Sequence, residues 1–138
     1  MTETDINKKV LIVEDDNFFS MILKGRMEKE GFVVRQAFDG EQALAMAREE
    51  TPDLIVLDLI IPKLSGFEFL ENIFSDPQLN RVPVVVASNL GQESDIEKVR
   101  QFGVRDYYIK ARTSVDDLIK MFKAIVSRGP REVSAQQT

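Results

Sequence analysis

Short apolar runs rich in β-branched residues recur along this chain without polar alternation. They read Val-Leu-Ile-Val at 10–13, Leu-Ile-Val-Leu at 54–57 and Val-Val-Val at 84–86. A strand with one wet face alternates apolar and polar residues; one covered on both faces does not. The candidate strands are Lys9–Glu14, Phe32–Ala37, Leu54–Asp58, Val82–Ser88 and Asp106–Lys110. Amphipathic stretches lie between them. Asp39 with Gln42, Ser65 with Glu68 and Ser94 with Glu97 have capping-box spacing. In the last stretch Val115, Leu118, Ile119, Phe122, Ile125 and Val126 repeat at helical spacing after Thr113 and Ser114 as possible caps. Five strands alternating with five helices imply an α/β fold, a doubly wound parallel sheet with helices on both faces.

One domain suits 138 residues. The expected division is a flexible N-terminus over 1–7, the domain over 8–128 and a flexible polar tail, GPREVSAQQT, over 129–138. No signal peptide or membrane-length apolar run is present, so a cytoplasmic protein with no membrane partner is expected. A net charge of −5 argues against direct nucleic-acid binding. The chain has no cysteine and no histidine, which removes thiol chemistry, an imidazole base and nitrogen or sulfur metal ligands. Any metal must then be held by oxygen, which favours Mg²⁺, with Mn²⁺ or Ca²⁺ also suitable.

Strand ends in such a sheet are where a site forms, at the point where the strand order reverses. The first strand runs into Glu14, Asp15 and Asp16, and the third into Asp58. Asp16 is expected to cap the first helix. Glu14, Asp15 and Asp58 would converge if their strands are neighbours, and their mutual repulsion calls for a divalent cation. The fourth strand ends in the hydroxyl of Ser88 and the fifth in the ammonium of Lys110. A carboxylate nucleophile, a metal, a hydroxyl and a lysine together equip a site to handle a phosphoryl group. An ionised aspartate needs no general base, which agrees with the lack of histidine.

The segments LIVEDD, PDLIVLDLIIPKLSGFEFL, VPVVVAS and DYYIKA, in this order, resemble the receiver domains of two-component response regulators from about Lys8 to Val126. The resemblance implies a flavodoxin-like (βα)5 fold with strand order 2-1-3-4-5. It makes Asp58 the phosphoacceptor, taking its phosphoryl group from the phosphohistidine of a partner histidine kinase or phosphotransfer protein in a phosphorelay. Such a domain is no conventional enzyme, but catalyses its own phosphorylation and dephosphorylation. Asp15, Asp58 and the backbone carbonyl of Ile60 would ligate Mg²⁺ directly, Glu14 mostly through water. Ser88 and Lys110 would contact the phosphoryl group, and Tyr107 falls at the switching aromatic position. Pro62 and Gly66 match the turn after the phosphoacceptor; Gly66 serves either a special backbone conformation or an ordinary helix start.

Two positions depart from the family pattern. Ala111 stands where proline with a cis bond is usual, so a trans Lys110–Ala111 bond is expected. Asn89 replaces a small residue after Ser88, bulk that is expected to slow donor access. Ile60 and Leu90 flank the site and cannot orient a water, which implies a long-lived aspartyl phosphate.

The resemblance further implies a switch in which Ser88 moves toward the phosphoryl group and Tyr107 fills the space it leaves. The readout surface would be the fourth helix, fifth strand and fifth helix, roughly 94–102, 106–110 and 115–127, meeting a downstream target as a monomer or a phosphorylation-dependent dimer. At the first helix Phe18 is expected to contact the kinase and Phe19 to enter the core, while Tyr108 packs in the core opposite Tyr107. A stand-alone receiver and one excised from a longer protein both fit, the former favoured. A phosphatase using a strand-end aspartate would need a second aspartate where Ile60 stands, and a flavodoxin-type binder a phosphate loop where EDDNFF stands. A pseudo-receiver that is never phosphorylated, acting as an interaction module, is the alternative that survives.

Overall fold

Residues 7–132 are described by a computed structural model, and the rest of both expected terminal segments lies outside the described residues. The strands are β1 (Lys9–Val13), β2 (Val33–Ala37), β3 (Leu54–Leu57), β4 (Val84–Ser88) and β5 (Asp106–Ile109). They alternate with α1 (Asn17–Lys29), α2 (Gly40–Glu49), α3 (Gly66–Ser75), α4 (Glu93–Gln101) and α5 (Val115–Arg128). All pairings are parallel, and the sheet order is β2-β1-β3-β4-β5. Doubly wound parallel topology is thus what the apolar runs implied. Glu14, Asp58 and Lys110 lie one residue beyond their strands, in the links.

Side chains of successive strand residues leave opposite faces, and this period of two divides the core into two layers. Leu11, Val13, Ile55, Leu57, Val84 and Val86 pack with buried residues of α2, α3 and α4. Val10, Ile12, Leu54, Val56, Val85 and Ala87 pack with those of α1 and α5. Full burial on both faces explains why these strands carry no polar alternation. Each apolar side chain contributes about 1.5–3 kcal/mol by leaving water.

Four helices start at side-chain caps. Asp16 Oδ1 accepts the Phe18 and Phe19 amides at 3.0 and 3.1 Å. Asp39 Oδ1 accepts the Gln42 amide at 2.7 Å, Ser65 Oγ that of Glu68 at 3.2 Å, and Ser114 Oγ that of Asp117 at 3.1 Å. The expected box at Ser94 and Glu97 does not form. Helix α4 starts two residues earlier, behind Gln92, which makes no side-chain cap, and Ser94 falls inside its first turn. Glu93 and Asp95 there face the positive end of the helix dipole instead. Val99 is the one fully buried residue of α4, which makes it the least anchored of the five helices among the described residues.

Gly66 has an ordinary φ; a close approach demands it. A Cβ there would lie 2.5 Å from Leu59 Cα and 2.9 Å from its carbonyl oxygen, so α3 presses directly on the link after β3. After α5, Gly129 (φ 81°) reverses the chain. The Arg131 amide then donates to Arg81 O at 2.7 Å, and its guanidinium donates to Asn80 O at 2.9 Å and Phe102 O at 3.4 Å over the Phe74 ring. Residues 129–132, the start of the expected tail, therefore fold back along the amino end of the sheet. No helix among the described residues is long and apolar enough to cross a membrane.

Candidate metal and phosphoacceptor site

Register brings the acids together. Because β1 pairs with both β2 and β3, Val13 lies beside Leu57, and the next residues, Glu14 and Asp58, leave the sheet side by side. Glu14 and Asp58 are buried, at 3% and 7% exposure, whereas Asp15 is exposed. Carboxylate oxygens of Glu14, Asp15 and Asp58 lie within 4.8 Å of one another.

Two buried carboxylates this close need positive charge and donors. Lys110, delivered from the end of β5, supplies the charge, its Nζ 2.5 Å from Glu14 Oε1 and 2.8 Å from Asp58 Oδ2. Ser88 Oγ donates to Asp58 Oδ1 at 2.8 Å and the Ile60 amide to the same oxygen at 3.1 Å. The Asp16 amide donates to Glu14 Oε2 at 3.2 Å. One ammonium between two carboxylates leaves one negative charge uncompensated. Burial, above all, pushes the Glu14 carboxyl up to about 7, and the charge of Asp58 adds to the effect against the pull of Lys110. Burial pulls the Lys110 ammonium down, but its hydrogen bonds to Asp58 and Glu14 outweigh that and hold it above its ordinary range.

The donor set fits a hard divalent cation. It is all oxygen, carries more negative than positive charge, and opens to solvent through Asp15. Glu14, Asp15, Asp58, Ser88 and Lys110 thus meet at one point, with Ile60 beside them through its amide; the Ile60 side chain is 58% exposed.

Ser88 and Tyr107, the two expected switch residues, both make contacts beside Asp58 and Leu90. Ser88 is bonded to Asp58, and its Oγ accepts the Leu90 amide at 3.3 Å. Tyr107 packs against the layer beneath α2–α4, and its hydroxyl donates to Leu90 O at 2.5 Å. Burial, then the charges of Asp95 and Asp58, push the Tyr107 phenol up to about 12. Tyr108 packs on the opposite layer.

Sequence reasoning missed two neighbours. Phe19, expected in the core, is only partly buried: its ring lies 4.8 Å from Lys110 Nζ and backs the ammonium. Phe18, next to it, is 69% exposed. Asn89 does more than add bulk. Its Oδ1 accepts the Ala111 amide at 3.0 Å, a donor that a proline at 111 would lack. The expected trans Lys110–Ala111 bond is present, since no peptide among the described residues is cis, and residues Lys110–Arg112 form one 3₁₀ turn. The two departures from the family pattern are therefore partners. No spacing signal could have paired residues 22 apart on different strand ends.

Residues 10–123 match the family model described as the response regulator receiver domain. The Rhizobium meliloti phosphate regulon transcriptional regulatory protein PhoB is 32% identical over 91% of this chain, and the chain spans 55% of that relative's length. Protein PilH of Pseudomonas aeruginosa is 30% identical over 86% of this chain and 98% of its own. The solved Mn²⁺-bound form of response regulator Rcp1 is 32% identical, with a TM-score of 0.74 over 87% of this chain and 92% of that one.

Proposed function

This chain belongs to the response regulator receiver domain family, and we propose that it accepts a phosphoryl group on Asp58 from a histidine kinase or phosphotransfer protein. The observation that carries the reading is the environment of Asp58. It is a buried carboxylate that receives an ammonium, a hydroxyl and an amide from Lys110, Ser88 and Ile60, beside two further acids.

Receiver domains hold a divalent cation in an acidic pocket, and the pocket here is Glu14, Asp15 and Asp58. On this reading those carboxylates, with the Ile60 backbone carbonyl, hold Mg²⁺ or Mn²⁺; Rcp1, a relative, has been solved with Mn²⁺. The cation would supply Lewis-acid neutralisation of phosphoryl oxygens. The chain's own groups do the rest. An Asp58 carboxylate oxygen forms a bond to phosphorus as the donor's P–N bond breaks, and the electron pair leaves with the imidazole nitrogen. Both Asp58 oxygens are engaged by donors beforehand, so Lys110 and Ser88 pass from the carboxylate to the phosphoryl oxygens as these gain charge.

Exposed Phe18 and Met21 on the first turns of α1 suit kinase docking, while α4, β5 and α5 suit a target that reads Ser88 and Tyr107. The expected setting is cytoplasmic. Ile60 over the site and half-buried Leu90 beside it offer an attacking water no polar partner, which favours a long-lived phosphoryl group. Ile60→Asn and Leu90→Glu should then speed dephosphorylation; unchanged rates in both would sink that point.

The central test is intact mass after incubation with acetyl phosphate and Mg²⁺. Wild type should gain one phosphoryl group and Asp58→Asn none. An unmodified wild type that still captures partners would establish the pseudo-receiver reading instead.

A further inference from the structure

The opposite end of the sheet carries a half-open cleft of about 780 Å³ that the phosphoacceptor chemistry does not use. Its walls are the end of α4, the start of β5, the end of α5 and the returning residues 129–132. The apolar floor is Pro83, Val84, Val104 and Ile125. Four arginines line it, Arg100, Arg105, Arg128 and Arg131, together with Asp106 and Glu132.

Two of the four have structural duties. Arg128 pairs with Asp106 at 3.1 Å, and Arg131 holds the carbonyls of Asn80 and Phe102. The side chains of Arg100 and Arg105 make no hydrogen bond or ion pair with the described residues. Burial, and after it the charge of Arg105, lowers the Arg131 guanidinium from its ordinary range; four arginines against the two carboxylates of Asp106 and Glu132 leave the cleft with an excess of positive charge. This happens in a chain whose net charge is −5. Such an excess is local, and the fold concentrates it over an apolar floor.

We propose that this cleft binds a phosphorylated small molecule of nucleotide size, its phosphate on Arg100 and Arg105 and its organic part over Val84 and Ile125. The volume falls in the range of small-molecule sites, about 300–1,000 Å³. A guanidinium fork matches a phosphate in two hydrogen bonds, and arginine is the sole cationic residue type among the described residues that line the cleft. The limited volume of this half-open cleft favours a compact ligand over an extended acidic peptide. The proposal is independent of phosphorylation at Asp58, on the far edge of the sheet.

The experiment is an NMR titration of ¹⁵N-labelled chain with guanosine 5′-monophosphate, adenosine 5′-monophosphate or inorganic phosphate, without divalent cation. At least one nucleotide should give saturable shifts at Val84, Gly103–Asp106 and Gly129, with inorganic phosphate binding more weakly. Arg105→Ala should weaken binding about tenfold, the loss of one charge-assisted phosphate contact. The double variant Arg100→Ala/Arg105→Ala should abolish it, with thermal melts like wild type. The surface variant Arg26→Ala should bind as wild type does. Shifts that never saturate, shifts centred on Asp15 and Lys110, equal affinity in Arg105→Ala, or binding of polyglutamate but of neither nucleotide would each overturn the proposal.

Discussion

At the carboxyl end of the sheet Glu14, Asp15 and Asp58 crowd together; at the amino end Arg100, Arg105, Arg128 and Arg131 line one cleft. The like charges are handled differently because their burial differs. Glu14 and Asp58 are withdrawn from water and must be answered from within the chain, by Lys110, Ser88 and two amides. Arg100, Arg105 and Arg128 remain exposed, so water carries most of their solvation. Buried charge is thus tied to stability and to pH, whereas exposed charge is free to serve a ligand at little cost to the fold.

The sharpest break in this comparison is at two glycines. Gly66→Ala would force α3 off the Leu59 backbone and should cost about 3 kcal/mol or more. Gly129→Ala, at the amino end, meets no atom within 4 Å, so its cost of about 1–3 kcal/mol is backbone strain alone, at φ 81° and ψ −166°. Urea denaturation measures both costs, and a loss below about 1 kcal/mol for Gly66→Ala would refute the close-approach account of Gly66.

Next in size is Lys110→Met. It leaves two buried carboxylates without their cation and should lose about 3 kcal/mol at pH 8. The loss should shrink at pH 6, where Glu14 takes up a proton. Arg105→Ala should stay within about 0.5 kcal/mol at either pH, as surface changes do.

Without divalent cation, the wild type has a pH signature of its own. The folded Glu14 carboxyl, at about 7, binds its proton more tightly than the unfolded one, at its ordinary value of 4.5. Stability from this group is therefore full below about 4.5 and is lost as pH rises through 7. Thermal melts from pH 5 to 8 in EDTA should show this decline, and saturating Mg²⁺ should flatten it by favouring the ionised form. A decline of equal size with Mg²⁺ would argue against these acids as the metal site.

The smallest effect concerns the Asn89 clasp. Asn89→Ala removes an acceptor from an exposed amide and should cost about 0.5–1 kcal/mol. In an Ala111→Pro background, which has no amide to lose, the same change should cost nothing further. Additive losses in this double-mutant cycle would show that the contact carries no coupling.

Much of this was legible beforehand because it depends on neighbours in the chain. Short, β-branched runs such as Leu-Ile-Val-Leu read as strands covered on both faces, and acids at the ends of two of them had to meet if those strands paired. Asp16, Asp39, Ser65 and Ser114 cap their helices because a cap reaches only two or three residues ahead. The missed cap at Ser94 follows from the same locality: spacing alone cannot say where a weakly anchored helix begins.

The sequence by itself determined the parallel α/β architecture and the residue types at each strand end, since periodicity and cap chemistry act over a few residues. Only the tertiary structure decided that Lys110 reaches Glu14 across 96 positions, that Phe19 backs it, and that Asn89 meets Ala111. It alone decided that Arg131 returns to wall the amino-end cleft. The physical reason is that sheet register and helix docking bring remote side chains within 3 Å of one another, and no local pattern encodes which pairs will meet.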